Sequence, residues 1–507
     1  MLLYRIARLP MFVLMIGAAG VIMFVPAFYG LATDHGASAR AFGYCALLTL
    51  VLFALVALAT WNHRIRHQTR ANLLTILAFF GLMPLLLAWP MSLALPGPGD
   101  YGTAVFDMVS AVTTTGAPIL PLNATPSAVH LWRAEVAWVG GLFMWVTAAA
   151  VLAPLNLGGF EVSGNFGPGR GSENFTQITG TATLGDRLRR YTVLLLPIYA
   201  ALTAGLWLLL MAVGDPPLVA AIHAMSTLST SGLSPLGGPS GAASGIAGEV
   251  IILTFFVFAL SRLTFLADAR IGGIGAVRQD PEIQLGILIV VGLPLLLFLR
   301  HWLASFDSGE VVTLLEGIEG LWGAMFTTAS VLTTTGWESA SWDKALDWSG
   351  LRTPGLLLMG LAIFGGGVAT TAGGVKLLRV FALYKHGLRE MEKLVQPSSI
   401  GGSGRVARRI RRQGAYLAWN AFMLFALSLA AVWLALALAG VPFEDALVLT
   451  IASLSNCGPL IANATATPID LATLPPGVKT IMAVAMVVGR IEALAIIALL
   501  NPDFWRR

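Results

Sequence analysis

Long apolar stretches separated by polar segments run along the whole chain. Stretches of about 20 apolar residues, the length that a helix needs to cross a bilayer, predict ten spans: 11–30, 42–60, 72–90, 129–152, 191–213, 247–267, 284–303, 354–382, 415–440 and 478–500. The last eight form four pairs, and each pair encloses a segment too short to cross: 102–113, 217–229, 318–332 and 443–455. The pattern predicts an all-α polytopic membrane protein, in which two N-terminal helices precede four repeats of span, short re-entrant helix, loop and span.

This organisation divides the chain into five segments. An N-terminal transmembrane hairpin covers 1–70, and the four repeats cover 71–190, 191–282, 283–412 and 413–507. The composition agrees, because 56% of the residues are apolar and only 11% are charged, as is typical of membrane proteins. The two cysteines, Cys45 and Cys457, are too few and too far apart to indicate a disulfide framework or a metal site.

The positive charges predict which loops face the cytoplasm. With the N-terminus inside, arginine and lysine concentrate in the segments that ten spans place on the cytoplasmic side, namely 1–10, 61–71, 154–190, 268–282, 383–414 and the C-terminus. Arg133 and Lys479 are among the few cations on the opposite side. This asymmetry follows the positive-inside rule. It predicts that both termini are cytoplasmic and that the loops after the four short helices face outward.

Those four loops repeat one pattern. They read "SAVTTTGAP" (110–118), "STLSTSGLS" (226–234), "SVLTTTGWE" (330–338) and "ASLSNCGPL" (452–460), and the fourth departs most from the others. Each runs from a small or hydroxyl residue through a short polar run to one glycine. Small residues can simply allow close helix packing, but four such runs in one register favour a shared function.

The residue types suit the binding of a dehydrated cation. Several oxygens must replace the hydration shell of such an ion, and backbone carbonyls can supply them when successive residues turn toward one axis. Glycine permits the conformations that this requires, hydroxyl side chains can hold the loop from behind, and each short helix directs its partially negative C-terminal end at the ion. The candidate filter residues are Thr114, Thr115, Gly116, Thr230, Ser231, Gly232, Thr334, Thr335, Gly336, Asn456, Cys457 and Gly458.

Over essentially its whole length the chain resembles the Trk/Ktr/HKT superfamily of potassium transporters, and most closely its bacterial TrkH branch. The resemblance implies one pore per subunit with pseudo-fourfold symmetry, a potassium ion bound by the filter residues, and no covalent cofactor. Relatives that favour sodium carry Ser at the first filter glycine, so Gly116 favours potassium.

A glycine-rich stretch interrupts the predicted span 354–382. The sequence "FGGGVATTAGGVKLLR" (364–379) contains Gly365, Gly366, Gly367, Gly373 and Gly374. Each interior glycine costs a helix about 1 kcal/mol relative to alanine, and an unwound segment at membrane depth must lie inside protein or against a watery cavity. Close packing through small residues is the alternative. The resemblance implies that this stretch is an intramembrane gate under the filter.

Arg490 lies inside the last predicted span, where an ionisable residue is a functional candidate by default. Glu492 points to a different face of the helix and is therefore not an automatic partner. Arg490 could instead hold carbonyls of a neighbouring helix, but the resemblance implies that it reaches into the pore below the filter. For Asp107 and His223, on the short helices, we expect structural hydrogen bonds rather than ion binding.

These features predict a potassium uptake protein of the bacterial inner (cytoplasmic) membrane and not an enzyme. The alternative is a symporter that couples potassium to protons or sodium, although paired carboxylates at mid-span are almost lacking. The expected partners are membrane lipid and, by the resemblance, a second copy of the chain and a cytoplasmic, TrkA-like ring of nucleotide-binding regulatory subunits. Nucleic acid is not expected.

Overall fold

Every regular element in the described part of the chain is a helix. The computed structural model describes residues 9–61, 68–95, 100–153, 159, 184–261, 280–308, 314–351, 353–396, 412–465 and 468–492. Within these ranges, seven helical segments are long and apolar enough to cross a membrane, and three shorter apolar helices accompany them. The predicted all-α polytopic architecture is confirmed.

The chain begins with a helical hairpin. Its helices are α1 (Met11–Ile22), α2 (Phe24–Ala32) and α3 (Gly36–Thr60). The two arms approach closely, because Gly30 lies directly against the backbone of Ala39. The hairpin packs against the first repeat.

The first two repeats follow the predicted order of span, short helix and span. The first consists of α4 (Gln68–Ala94), α5 (Tyr101–Val112) and α6 (Ser127–Thr147), which continues as a π-helical turn over Ala148–Leu152. The second consists of α7 (Leu184–Ala212), α8 (Pro217–Ser229), α9 (Gly245–Phe255) and α10 (Val257–Leu260). Short helices start at well-defined signals: the Asp100 side chain caps α5 by accepting hydrogen bonds from the amides of Gly102 and Thr103, and Pro217 occupies the first turn of α8.

The last two repeats have the same plan. The third consists of α11 (Pro281–Ser308), α12 (Leu314–Leu332), α13 (Trp342–Ser349), α14 (Pro354–Phe364) and α15 (Leu377–Val395). The fourth consists of α16 (Arg412–Leu438), α17 (Phe443–Leu454), α18 (Leu460–Asn463) and α19 (Pro476–Ile491).

Two predicted elements differ from the structure, and a third is described only in part. The span 247–267 is not one helix, because it breaks at Phe256, and its residues after 261 lie outside the described part of the chain. The short helix of the third repeat has 19 residues rather than about a dozen, because its first turns carry charged and glycine residues that the apolar pattern excluded. The span 478–500 is described only up to residue 492.

The four repeats close into a ring. The second span of each repeat packs against the short helix of the next: α6 against α8, the α9 segment against α12, α14 against α17, and finally α19 against α5 of the first repeat. This arrangement brings the C-terminal ends of α5, α8, α12 and α17 together at the centre.

Candidate functional site

The four loops contact one another in cyclic order. A Cβ on Gly116 of the first loop would lie only 1.7 Å from the carbonyl oxygen of Ser231 in the second. The indole of Trp337 in the third loop donates to the carbonyl of Gly232 at 2.8 Å. Gly336 packs against the fourth loop, whose Gly458 amide closes the ring by donating to the carbonyl of Thr115 at 2.7 Å. The twelve candidate filter residues therefore share one site. All of those that have a side chain are buried.

The backbone takes the same unusual conformation in all four loops. The residue two positions before each glycine is left-handed, with φ of 53°, 53°, 60° and 52° at Thr114, Thr230, Thr334 and Asn456. Such a conformation is strained for a β-branched residue and tends to persist at functional sites, where the surroundings enforce it. Three of the glycines are left-handed as well, with φ of 70°, 66° and 81° at Gly116, Gly232 and Gly336. Two left-handed residues, separated by one other residue, are thus present in each of the first three loops.

A repeated set of hydrogen bonds holds this conformation. In each loop, the amide directly before the glycine donates to a carbonyl five residues earlier, at 2.8, 3.0, 2.9 and 2.9 Å for Thr115, Ser231, Thr335 and Cys457. Hydroxyl side chains add a second layer, with contacts of 2.8 Å for Thr113–Thr115, 3.1 Å for Ser229–Ser231 and 3.2 Å for Thr333–Thr335. Hydroxyl bonding behind the loop is therefore seen in three repeats.

The fourth loop is built differently. Gly458 is not left-handed, unlike the glycines of the other three loops, since its φ is not positive. A glycine is needed there for space, because a Cβ would lie 2.5 Å from the Thr115 carbonyl oxygen. The side chain of Asn456 ties the loop to its neighbours by donating to the Thr115 hydroxyl at 3.0 Å and to the carbonyl of Met486 at 2.9 Å.

Polar residues on the short helices anchor the chain as it leaves the ring. Asp107 forms a buried bidentate ion pair with Arg133, with both N–O distances at 2.8 Å, and Arg133 also donates to the carbonyl of Ala117. His223 contacts the Ser234 hydroxyl at 2.8 Å. Asp107 and His223 thus make structural hydrogen bonds, as expected.

Two residues of this outer scaffold, Arg133 and Glu249, were not identified from the sequence as structural anchors. Arg133 was counted only as an exception to the charge asymmetry, although a cation inside a predicted span is itself a signal. Glu249 is fully buried and accepts hydrogen bonds from the Trp322 indole, the Ser339 hydroxyl and the Ala340 amide at 2.7–2.8 Å. It holds the segment that follows the third loop.

An acidic residue lies beside the same segment. Glu338 directly follows the third loop's Trp337. Burial raises the pKa of the Glu338 carboxyl to about 7, and the negative charge of Asp343 acts in the same direction. This carboxyl therefore titrates near neutral pH.

The glycine-rich stretch is unwound, as the sequence predicted. Helix α14 ends at Phe364 and α15 begins at Leu377, and the irregular segment 365–376 between them contains all five predicted gate glycines, Gly365, Gly366, Gly367, Gly373 and Gly374. We call it the crossing segment.

The crossing segment lies against the side on which the short helices end. The Thr371 hydroxyl donates to the carbonyl of Leu228 in α8 at 3.1 Å, and the Gly373 amide donates to the Thr334 hydroxyl at 2.8 Å. A Cβ on Gly373 would lie 1.9 Å from the carbonyl oxygen of Ser455, so only glycine allows this approach. Ala369 of the segment also packs against the apolar cluster at the end of α6 in the first repeat, so all four repeats contact the segment.

Three buried cations hold carbonyls of the crossing segment. Arg490 donates from Nη1 to the carbonyl of Thr371 at 2.6 Å, Lys376 donates to the carbonyl of Ala372, and Arg379 donates to that of Val375 at 3.3 Å. Glu492 is not the partner of Arg490, as expected, because it pairs with Arg379 at 2.6 Å. The sequence did not predict that Lys376 and Arg379 hold this segment, because the residues around them have the pattern of the end of a span.

Comparison with known proteins gives one consistent result. A family model described as "TrkH: Cation transport protein" matches residues 283–505. The Trk system potassium uptake protein TrkH of Halomonas elongata is 30% identical over 475 residues, covering 91% of each chain, and that of Escherichia coli K12 is 26% identical over 489 residues, covering 96% of each. The crystal structure of the potassium transporter TrkH from Vibrio parahaemolyticus superposes with a TM-score of 0.78 at 24% identity, covering 99% of this chain and 100% of that one, so the fold is shared. The resemblance found in the sequence is thereby confirmed, and the chain belongs to the TrkH family of cation transport proteins.

Proposed function

We propose that this protein takes up potassium across the bacterial cytoplasmic membrane through the ring of four loops. The observation that carries the proposal is the left-handed residue two positions before the glycine in every loop, in one register and around one closed ring. The names of the relatives, all Trk system potassium uptake proteins, support the choice of ion. Membership in a family of transport proteins also agrees with the prediction that the chain is not an enzyme.

Potassium is the substrate, and the loop carbonyls are its ligands. The ring joins backbone oxygens from four directions, and the C-terminal ends of four helices converge on it. Carbonyl dipoles and helix C-termini both favour a cation. The ligands belong to the twelve filter residues named above, from Thr114 to Gly458, and the hydroxyl layer and the Asn456 bridge keep their spacing.

The crossing segment acts as the gate. It lies against all four repeats, on the side on which the short helices end, and an ion that leaves the ring on that side must pass it. Arg490 holds this segment through the Thr371 carbonyl and places a positive charge beside the path. Displacement of the segment and its cation opens the pathway.

The assembly is proposed from the family. The active form is a homodimer embedded in lipid, with both termini in the cytoplasm, and a cytoplasmic ring of nucleotide-binding subunits regulates it. We expect the surface that binds these regulatory subunits to lie among the basic cytoplasmic segments. One of them, the stretch 397–411, lies outside the described residues.

The test is ion uptake by proteoliposomes that contain the purified protein alone. We expect uptake of potassium and rubidium to exceed that of sodium. Gly116→Ser should weaken this preference, because the new side chain would meet the Ser231 carbonyl, whereas Gly205→Ser, at a position with open space around it, should not. Equal uptake of the three ions would contradict the proposal that the four loops form a potassium-selective filter. A strict requirement for an imposed proton or sodium gradient would favour the symporter instead.

A further inference from the structure

A buried carboxyl in the second span of the first repeat has an oxygen atom with no hydrogen-bond partner among the described residues. Glu135 lies on α6, where its side chain is only 8% exposed. Its Oε2 atom makes no hydrogen bond with any residue that the structure describes. Acidic residues at membrane depth are costly and are normally paired, and a buried polar atom without a partner requires a physical explanation.

Two cavities meet at this carboxyl. A cavity of about 120 Å³ extends from Glu135 between α1, α4 and α6, and it reaches Val112, the last residue of α5. A groove of about 390 Å³ lies on the other side, between the N-terminal hairpin, α6, α7 and α8, and Trp138 and Trp207 line it. The groove opens on the outer surface of the helices, where Val25 and Trp207 are exposed. A molecule dissolved in the bilayer can therefore enter it sideways.

Among the residues that the structure describes, none that lines this site has a spare hydrogen-bond donor for Glu135. Every side-chain N–H and O–H group that lines the two cavities already donates to another acceptor: Trp132 to Leu87, Trp138 to Thr203, Thr192 to Leu188, Thr203 to Tyr199 and Trp207 to Pro217. A hydrogen-bond donor for the carboxyl must then come from a bound molecule.

We propose that the groove binds a lipophilic amine whose ammonium group pairs with Glu135. The pair is neutral as a whole, which removes the cost of burying either charge alone. The indoles of Trp138 and Trp207 offer faces that attract a cation. None of the described residues that line either cavity is a lysine or an arginine, so none of them opposes an ammonium. The rest of the lining is almost entirely apolar and suits a hydrocarbon body. The proposal does not depend on the transport function.

Labelling with a hydrophobic carbodiimide tests the proposal. An unpaired carboxylate is costly in apolar surroundings, so the empty site holds the neutral acid, with which such a reagent reacts. Mass spectrometry of the detergent-solubilised protein then reports the modified fraction of Glu135. The probes are N,N-dimethyl-1-adamantylamine, a tertiary amine that cannot form a stable amide with the activated carboxyl, and 1-adamantanol, a neutral compound with the same hydrocarbon cage.

We expect N,N-dimethyl-1-adamantylamine to protect Glu135 from labelling in a saturable manner, and at least tenfold lower concentrations to suffice than for 1-adamantanol. The same amine should raise the thermal midpoint of the wild type but not that of Glu135→Gln, which keeps the shape and loses the charge. Glu135→Asp, which keeps the carboxyl at a shorter reach, should retain weaker protection. Equal protection by amine and alcohol, no saturable protection, or an unchanged midpoint shift in a folded Glu135→Gln protein would overturn the proposal.

Discussion

Replacing Arg490 by glutamine tests the gate most directly. In the structure this buried arginine makes a 2.6 Å hydrogen bond from Nη1 to the Thr371 carbonyl of the crossing segment. Its Nε and Nη2 atoms have no acceptor among the described residues. The substitution thus removes one charge-assisted bond and one positive charge, while it leaves a polar side chain of similar reach.

The loss of the hydrogen bond and the loss of the positive charge both increase ion flux. A hydrogen bond to a charged group contributes about 1.5–3 kcal/mol, so its removal shifts the balance toward a displaced segment by about 10- to 150-fold, at tenfold per 1.4 kcal/mol. In addition, an ion that passes roughly 6 Å from a guanidinium meets a repulsion of about 3 kcal/mol at an effective dielectric constant of about 20. We therefore expect Arg490→Gln to raise unregulated flux at least tenfold.

The assay is rubidium uptake into proteoliposomes without any partner protein, together with thermal unfolding in detergent. Arg490→Lys retains the charge and loses the planar fork, so we expect its flux to lie between those of the wild type and Arg490→Gln. A glutamine variant with a normal thermal midpoint and flux no higher than that of the wild type would refute the gate. A variant that is less stable and no more conductive would show that Arg490 is structural.

Three further predictions follow from other parts of the molecule. Arg133→Gln leaves Asp107 buried without its ion pair and should cost about 3–5 kcal/mol of stability; adding Asp107→Asn should recover part of that loss in thermal unfolding. Because the pKa of Glu338 is raised from 4.5 to about 7, the folded state keeps a proton that the unfolded state loses; stability should fall as the pH rises through this window, and Glu338→Gln should flatten the profile. Gly373→Ala places a methyl group 1.9 Å from a carbonyl oxygen of the fourth loop and should raise unregulated flux without changing ion preference, whereas Gly387→Ala, in open space, should not.

The repeated plan could be predicted because it is written locally. The short helices end, and the loops begin, within a dozen residues of each glycine, so one pattern of apolar, hydroxyl and glycine residues encodes each unit. Even here the pattern does not tell why each glycine is needed, because Gly116 is left-handed whereas Gly458 is required for the space between two loops.

The partners of the buried charges could not be predicted. Arg133 and Asp107 lie 26 residues apart, and Arg379 and Glu492 lie 113 apart. An apolar pattern reports that a residue is buried, but it does not report which helix lies opposite. The contacts between repeats in the ring decide which helix lies opposite. These contacts depend on how the four repeats pack and not on any one segment.

The bond between the first and fourth loops has a consequence for the synthesis of the protein. Asn456 and Thr115 are 341 residues apart along the chain. At roughly 5–20 residues per second, the first loop emerges from the ribosome on the order of tens of seconds before its last neighbour exists. Until then three loops face an unfinished centre inside the bilayer, with carbonyls and amides that have no permanent partner. We expect chains that end before residue 458 to be recognised as unassembled by membrane quality-control proteases, even when all their spans have inserted.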